Sequence, residues 1–292
     1  MNELLNDDIL ILDSTEGLSF IGQGNTAEIY ACSKDSIVKL FRDGFPEEGV
    51  KKEWEITNKV QKVFDMMPRA LKYVVHEKRY GILYEKAHGM DMFSLLSSKP
   101  LSICGMGKRI AIIHSEIHTT TIKNVVTAKE KLTQEIGWVD DLTLNEKNRI
   151  IGVLSTLSEK NSLCHFDFHP GNILVSGPKY QVIDWMTACA GNPAADVART
   201  WLLLKYGEMR NADKKTAFVV SAVKAIIRRQ YLRTVCRLSH ITRTEMDSWI
   251  VPVAAARLSE WLTESERRKL LSLITWKSEF SKRKKRIFLR DL

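Results

Sequence analysis

Cysteine is scarce in this chain. Cys32, Cys104, Cys164, Cys189 and Cys236 are odd in number, scattered, and never spaced as Cys-x-x-Cys. A disulfide framework and a structural zinc site therefore fall away, leaving reduced and mostly buried thiols. Long apolar runs are missing too, none approaching the roughly 20 residues that span a bilayer. Proline is sparse, with seven in 292 residues, and there is no low-complexity tract or internal repeat. The composition is that of an ordinary soluble protein. The first thirteen residues carry acids and no basic n-region, so they do not read as a secretory signal. A cytoplasmic protein without a membrane span is expected.

What is present is enough for one large domain or two lobes with substantial cores. Hydrophobic residues make up 44% and charged residues 27%. The net charge of +9 is uneven: residues 199–292 hold 22 Lys and Arg against 9 Asp and Glu, and residues 1–198 hold 22 against 26. The excess peaks at Lys282-Arg-Lys-Lys-Arg286. Such a cluster can contact nucleic acid or anionic lipid. It is read here as the basic end of a final helix, where cations suit the macrodipole, and no nucleic-acid partner is expected.

The first 87 residues alternate short apolar runs with turn residues, as a small sheet does. Leu18–Ile21, Glu28–Cys32, Ser36–Phe41, Tyr73–Val75 and Gly81–Tyr84 read as strands. Gly49–Met66 has helical spacing, with Val50, Trp54, Ile56, Val60 and Phe64 on a broad apolar face. After Gly89 the pattern turns helical. Ile103–Ile122 and Leu144–Lys160 are expected helices, the second with Asn145 as its cap. Asn172–Val175 and Tyr180–Ile183 form a hairpin around Ser176–Lys179. From Ala194 onward the chain reads as helix, with breaks near 207–213, 239–244 and 263. The expected fold is α+β, with a small antiparallel-sheet lobe at 1–87 holding one main helix, a hinge at about 85–89, and a larger helical lobe at 88–292.

Asp167 and Asn172 flank a tight Pro-Gly turn in His165-Phe-Asp-Phe-His-Pro-Gly-Asn172, and Asp184 follows twelve residues later at the end of an apolar strand. Two carboxylates and a carboxamide are the oxygen donors that Mg²⁺ and a reacting hydroxyl require. Asp167 would orient or deprotonate an acceptor, while Asn172 and Asp184 would hold metal against triphosphate oxygens.

The spacing His-x-Asp-x-x-x-x-Asn resembles the catalytic loop of protein kinases, with Asp184 where their Asp-Phe-Gly begins. The wording from His165 to Arg199, including Ile183-Asp-Trp185 and Gly191-Asn-Pro-Ala-Ala-Asp196, is similar to the aminoglycoside phosphotransferase and choline kinase superfamily. That resemblance implies a protein-kinase-like fold and ATP-dependent transfer of phosphate to a small-molecule hydroxyl, with Mg²⁺. It implies Asp167 as catalytic base, Asn172 and Asp184 as metal ligands, and His165 and Asp196 as structural support, with the place of His169 less defined. Trp185 with no following glycine argues against a protein kinase with a switching activation loop.

The resemblance extends upstream. Gly22 and Gly24 allow a hairpin to lie close over phosphates, although Ala27 replaces the third glycine of the protein-kinase loop. Lys39 resembles the lysine that contacts the α- and β-phosphates, with Glu53 preferred over Glu55 as its partner. Glu47 and Glu48 lie before the expected helix. Ile82–Ala87 resembles the strand entering a hinge, with the Glu85 carbonyl and Ala87 amide holding the purine and Tyr84 behind it. Asp91 is read as a surface acid, with ribose contact as its alternative.

The acceptor has no such signature. Asp140, Asp141 and Glu146 can form a carboxylate cluster for a cationic substrate, though a solvated loop is the simpler reading. Trp201, Trp249, Trp261 and Trp276 are read as core residues. Two other functions stay open: a small atypical protein kinase, and a non-catalytic nucleotide-binding module with a basic tail.

Overall fold

The computed structural model describes residues 8–12, 18–24, 26–208 and 213–280. The basic run at 282–286 and Trp276's side chain lie outside what it describes. Contacts divide the chain into two compact units: Met1–Asp91 with Gly171–Ala188, and Met92–Pro170 with Cys189–Leu292.

The first unit is built on a six-stranded sheet of β1 (Ile9–Ile11), β2 (Ser19–Gln23), β3 (Ala27–Ala31), β4 (Ser36–Phe41), β5 (Ala70–His76) and β6 (Arg79–Glu85). The order is β1-β5-β6-β4-β3-β2. Every pairing is antiparallel except β1 with β5. Val38, Leu40 and Phe41 of β4 are buried. Helix α1 (Glu47–Val60) packs Val50 and Trp54 into one core with Phe41, Tyr73, Ile82 and Tyr84. A second sheet orders β10 (Lys179–Val182), β9 (Ile173–Ser176) and β7 (Met90–Asp91). Gly89 makes the last contact possible: at φ +123° a Cβ would stand 2.4 Å from the Val175 carbonyl oxygen.

Helix α1 differs from its expected bounds at both ends. Glu47 and Glu48 form its first turn, where carboxylates suit the N-terminal dipole, and Lys51 pairs with Glu47 at 2.8 Å. The helix ends at Val60, and the Gln61 side chain just beyond accepts from the Ala70 amide at 2.8 Å. The Met66 carbonyl then accepts from Val182 instead of continuing the helix.

In the second unit, α2 (Met92–Ser98) is followed by α3 (Ile103–Thr119), α4 (Ala128–Gly137) and α5 (Leu144–Thr156). β8 (Ser162–Cys164) pairs with β11 (Cys189–Gly191), and α6 (Pro193–Tyr206), α7 (Lys214–Leu238), α8 (Arg243–Arg257) and α9 (Glu264–Phe280) complete it. Capping boxes open two helices: Thr127 with Glu130, and Thr143 with Glu146. Thr143, rather than the expected Asn145, caps α5, because its hydroxyl reaches the Glu146 amide. Helix α6 is apolar nearly all round and buried from Pro193 to Leu202, the mark of a central helix. No helix among the described residues is long and apolar enough to cross a membrane.

Candidate functional site

The sequence-derived candidates fall into two constellations, one in each unit. In the first unit, β4 places Lys39 at the centre of the six-stranded sheet, and α1 presents Glu53 to it. Lys39 Nζ lies 2.8 and 3.0 Å from the two carboxylate oxygens of Glu53 and 3.1 Å from Asp184 Oδ1. Tyr84 donates to Glu53 Oε1 at 2.9 Å, locking a carboxylate that is 1% exposed. Glu53, not Glu55, is thus the candidate within reach of Lys39. Burial works against the Lys39 charge, but the Asp184 and Glu53 carboxylates outweigh it and hold the ammonium above its ordinary range. Burial pushes Glu53 up, and the Lys39 charge opposes that shift.

Asp184 adopts a left-handed conformation (φ 65°, ψ 64°) just after β10. Aspartate tolerates this better than most residues. Its partly exposed carboxylate faces Lys39, and the neighbouring Ile183 amide donates to the Asn172 carbonyl at 3.0 Å. Asp184 and the buried Asn172 thereby belong to one locally fixed segment. Trp185 anchors it by packing on Phe64 and donating from Nε1 to the Val182 carbonyl. Gly22 and Gly24 flank the end of β2, where a Cβ on Gly22 would meet nothing within 4 Å. Glu85 ends β6, its amide bonded to the Arg69 carbonyl, and Ala87 is half-buried just beyond.

The second constellation surrounds Asp167. Its amide donates to His165 Nδ1 at 3.2 Å, and its carboxylate lies 3.7 Å from His169 Nε2 and 3.8 Å from Arg199 Nη2. Burial alone would raise this carboxyl. The neighbouring His169 imidazole, then Arg199 and His165, outweigh burial and hold it well below the usual carboxylate range.

One face of α6 fixes the loop that carries Asp167. Asp196, Arg199 and Thr200 share that face by their i, i+3, i+4 spacing. Asp196 accepts the His165 amide at 2.6 Å and the Phe166 amide at 2.9 Å. Arg199 Nε donates to the Phe166 carbonyl and Thr200 to the Phe168 carbonyl, both at 2.9 Å. Phe166 needs this hold, because its φ of 60° is left-handed and unfavourable for a bulky residue. Asp196 also accepts from His114 Nε2 at 3.0 Å and His118 Nε2 at 3.3 Å, both on α3. Burial drops His114 to about 4, with His118 adding to the shift and Asp196 opposing it.

His114, His118 and Asp196 offer three potential metal-ligand atoms within 4.8 Å of one another. Asp196 Oδ2 already accepts from a backbone amide and both imidazoles, so the group reads as a hydrogen-bonded support. The sequence reading missed the histidine pair and Arg199 as parts of this site; the i, i+4 spacing of the histidines was the available signal.

The acidic cluster weighed against a solvated loop is not gathered as free carboxylates. Asp141 pairs with Arg267, and Glu146 caps α5. Trp201 and Trp249 are core residues, whereas Trp261 is 75% exposed.

One unit thus holds a lysine between two acids, and the other a clamped loop aspartate. Residues 123–226, which include Asp167, Asn172, Asp184 and Asp196, match the phosphotransferase enzyme family. The chain has a kinase-like fold. Its fold is similar to choline kinase from Cryptosporidium parvum Iowa II (TM-score 0.55, 11% identity, covering 91% of this chain and 90% of that one). It is also similar to ADP-bound aminoglycoside phosphotransferase APH(2'')-Ib (TM-score 0.53, 16%, 89% and 91%). A third is aminoglycoside phosphotransferase APH(3'')-Id from Streptomyces rimosus, in complex with ADP and streptomycin (TM-score 0.53, 14%, 85% and 94%). No curated protein matches the sequence.

Proposed function

We propose that the protein transfers the γ-phosphoryl group of Mg-ATP to a hydroxyl of a small molecule. The observation that carries this reading is Lys39 held between Glu53 and Asp184, an ammonium kept charged and positioned where it can turn to phosphate oxygens. Lys39 takes the α- and β-phosphates, while Gly22 and Gly24 let the β2–β3 turn approach them. The Glu85 carbonyl and the Ala87 amide hold the purine. Asn172 and Asp184 offer a carboxamide and a carboxylate, the hard oxygen donors that suit Mg²⁺. The bound ion neutralises charge on the phosphates.

Asp167 accepts a hydrogen bond from the acceptor hydroxyl and aims its oxygen. A carboxylate this acidic is a weak base, so it takes the proton late, as the largely dissociative character of phosphoryl transfer permits. Arg199 and His169 keep it ionised and oriented. His165 and Asp196 act on the loop rather than on the substrate.

A coupled ADP-release assay over sugars, amino alcohols, hydroxy acids, nucleosides and aminoglycosides tests the reading. Turnover is expected with at least one acceptor, and Asp184→Asn should abolish it. Equal ADP release by wild type and Asp184→Asn would sink the assignment.

A further inference from the structure

A second set of charges adjoins Asp167 in the same unit. Arg257, at the end of α8, is 4% exposed. Its Nη2 donates to Glu266, which is equally buried, but its Nε and Nη1 have no hydrogen-bond partner. Nε lies 3.6 Å from Glu260 Oε2, outside good hydrogen-bond range. Glu260 turns instead to Arg199 Nη1 at 2.5 Å, and Arg199 Nη2 stands 3.8 Å from Asp167 Oδ1. A path of alternating charge therefore runs from the catalytic aspartate through Arg199 and Glu260 to Arg257.

A guanidinium cannot shed its proton, so burying two of its donors without hydrogen bonds costs stability. Native proteins retain such groups where a ligand, ion or water completes them. Lys224 of α7 adds a third cation. Burial lowers it to about 8, with the Arg257 and Arg228 charges adding to the shift and Glu266 opposing it. Glu260 is the most exposed member of the path, its side chain 37% accessible, and its carboxylate lies between two guanidinium groups. It occupies the position that a ligand's own oxyanion would take.

We propose that the hydroxyl acceptor carries an oxyanion, carboxylate or phosphate, that seats on Arg199 and Arg257 in place of the Glu260 carboxylate. Arginine recognises such groups through paired, charge-assisted hydrogen bonds. Because Arg199 also adjoins Asp167, an anion bound there holds a hydroxyl of the same small molecule near the catalytic carboxylate. Placing the hydroxyl rests on the phosphotransferase reading above; the anion site itself does not.

Glycerol 3-phosphate, glycerate and glycerol differ in the oxyanion, and titration calorimetry on the full chain without nucleotide compares them. At least one anionic probe is expected to bind where glycerol does not, and the pair separates phosphate from carboxylate recognition. Arg257→Gln should weaken that binding at least tenfold. Glu260→Gln, which removes the competing carboxylate, should tighten it severalfold. A purely structural role would not give opposite signs, and the second variant remains informative if the first does not fold. The proposal is overturned if both anions bind no better than glycerol to wild type and to Glu260→Gln, or if Glu260→Gln weakens binding. The titration needs no ATP, so a failed turnover assay and a failed anion site are separately visible.

Discussion

Phe166 shows how much a single residue in the loop that carries Asp167 depends on its neighbours. The left-handed conformation costs an ordinary residue roughly 1–2 kcal/mol, and Asp196 and Arg199 hold both of its peptide groups. Asp196 in turn depends on His114 and His118. His114 is buried with its pKa near 4 against an ordinary value of 6.5. The unfolded chain therefore binds more protons between pH 6.5 and 4, and stability falls as pH drops through that window. On the order of 2 kcal/mol should be lost between pH 7.5 and 5 through this residue, seen as a falling denaturant midpoint. His114→Gln should flatten that slope; an unchanged slope would place the titration elsewhere. Asp167, Asn172 and Asp184 were legible because they lie within eighteen positions of one another. Glu260 and Arg257 were not, since Arg199 meets Glu260 only after the chain folds through α7 and α8.

Among the elements, α6 joins packing to function. Asn192 caps it by accepting the Ala194 amide, and one face of its second turn holds the Asp167 loop. Replacing Thr200 with Val removes its bond to the Phe168 carbonyl. A loss of about 1 kcal/mol is expected in chemical denaturation, and a loss under about 0.3 kcal/mol would show that the bond does not restrain the loop. Helices α3 and α7 pack so closely that a Cβ on Gly107 would stand 2.3 Å from the Ile227 carbonyl oxygen. Gly107→Ala should destabilise by about 1–3 kcal/mol through overpacking, with an unchanged denaturant slope; full stability would mean that the helices separate easily. Strands β2 to β6 and the breaks between the C-terminal helices could be read from alternation and turn residues. The three-residue β1 could not: its pairing with β5 is set by partners more than sixty positions away. The cap of α5 was misplaced by two residues because Thr143 and Asn145 are equally plausible on sequence, and only the hydroxyl's reach to Glu146 decides.

For the whole molecule, the proposal gives the two constellations separate tasks. Lys39, Glu53, Asn172 and Asp184 lie in the unit proposed to bind nucleotide, and Asp167 in the unit proposed to present the acceptor. The kinase-like class was legible because its motif is local in sequence. The acceptor was not, because its proposed contacts come from side chains scattered over α6, α8 and the turn after α8. A division of labour between the units makes a direct claim: binding of Mg-ATP and transfer of its phosphate are separable by one substitution. The measurement is Mg-ATP affinity and turnover on a single preparation of Asp167→Asn. The expected result is a Kd within a few-fold of wild type and a kcat reduced by about a hundred- to ten-thousandfold. A kcat close to wild type, or an affinity that falls along with it, would contradict the account.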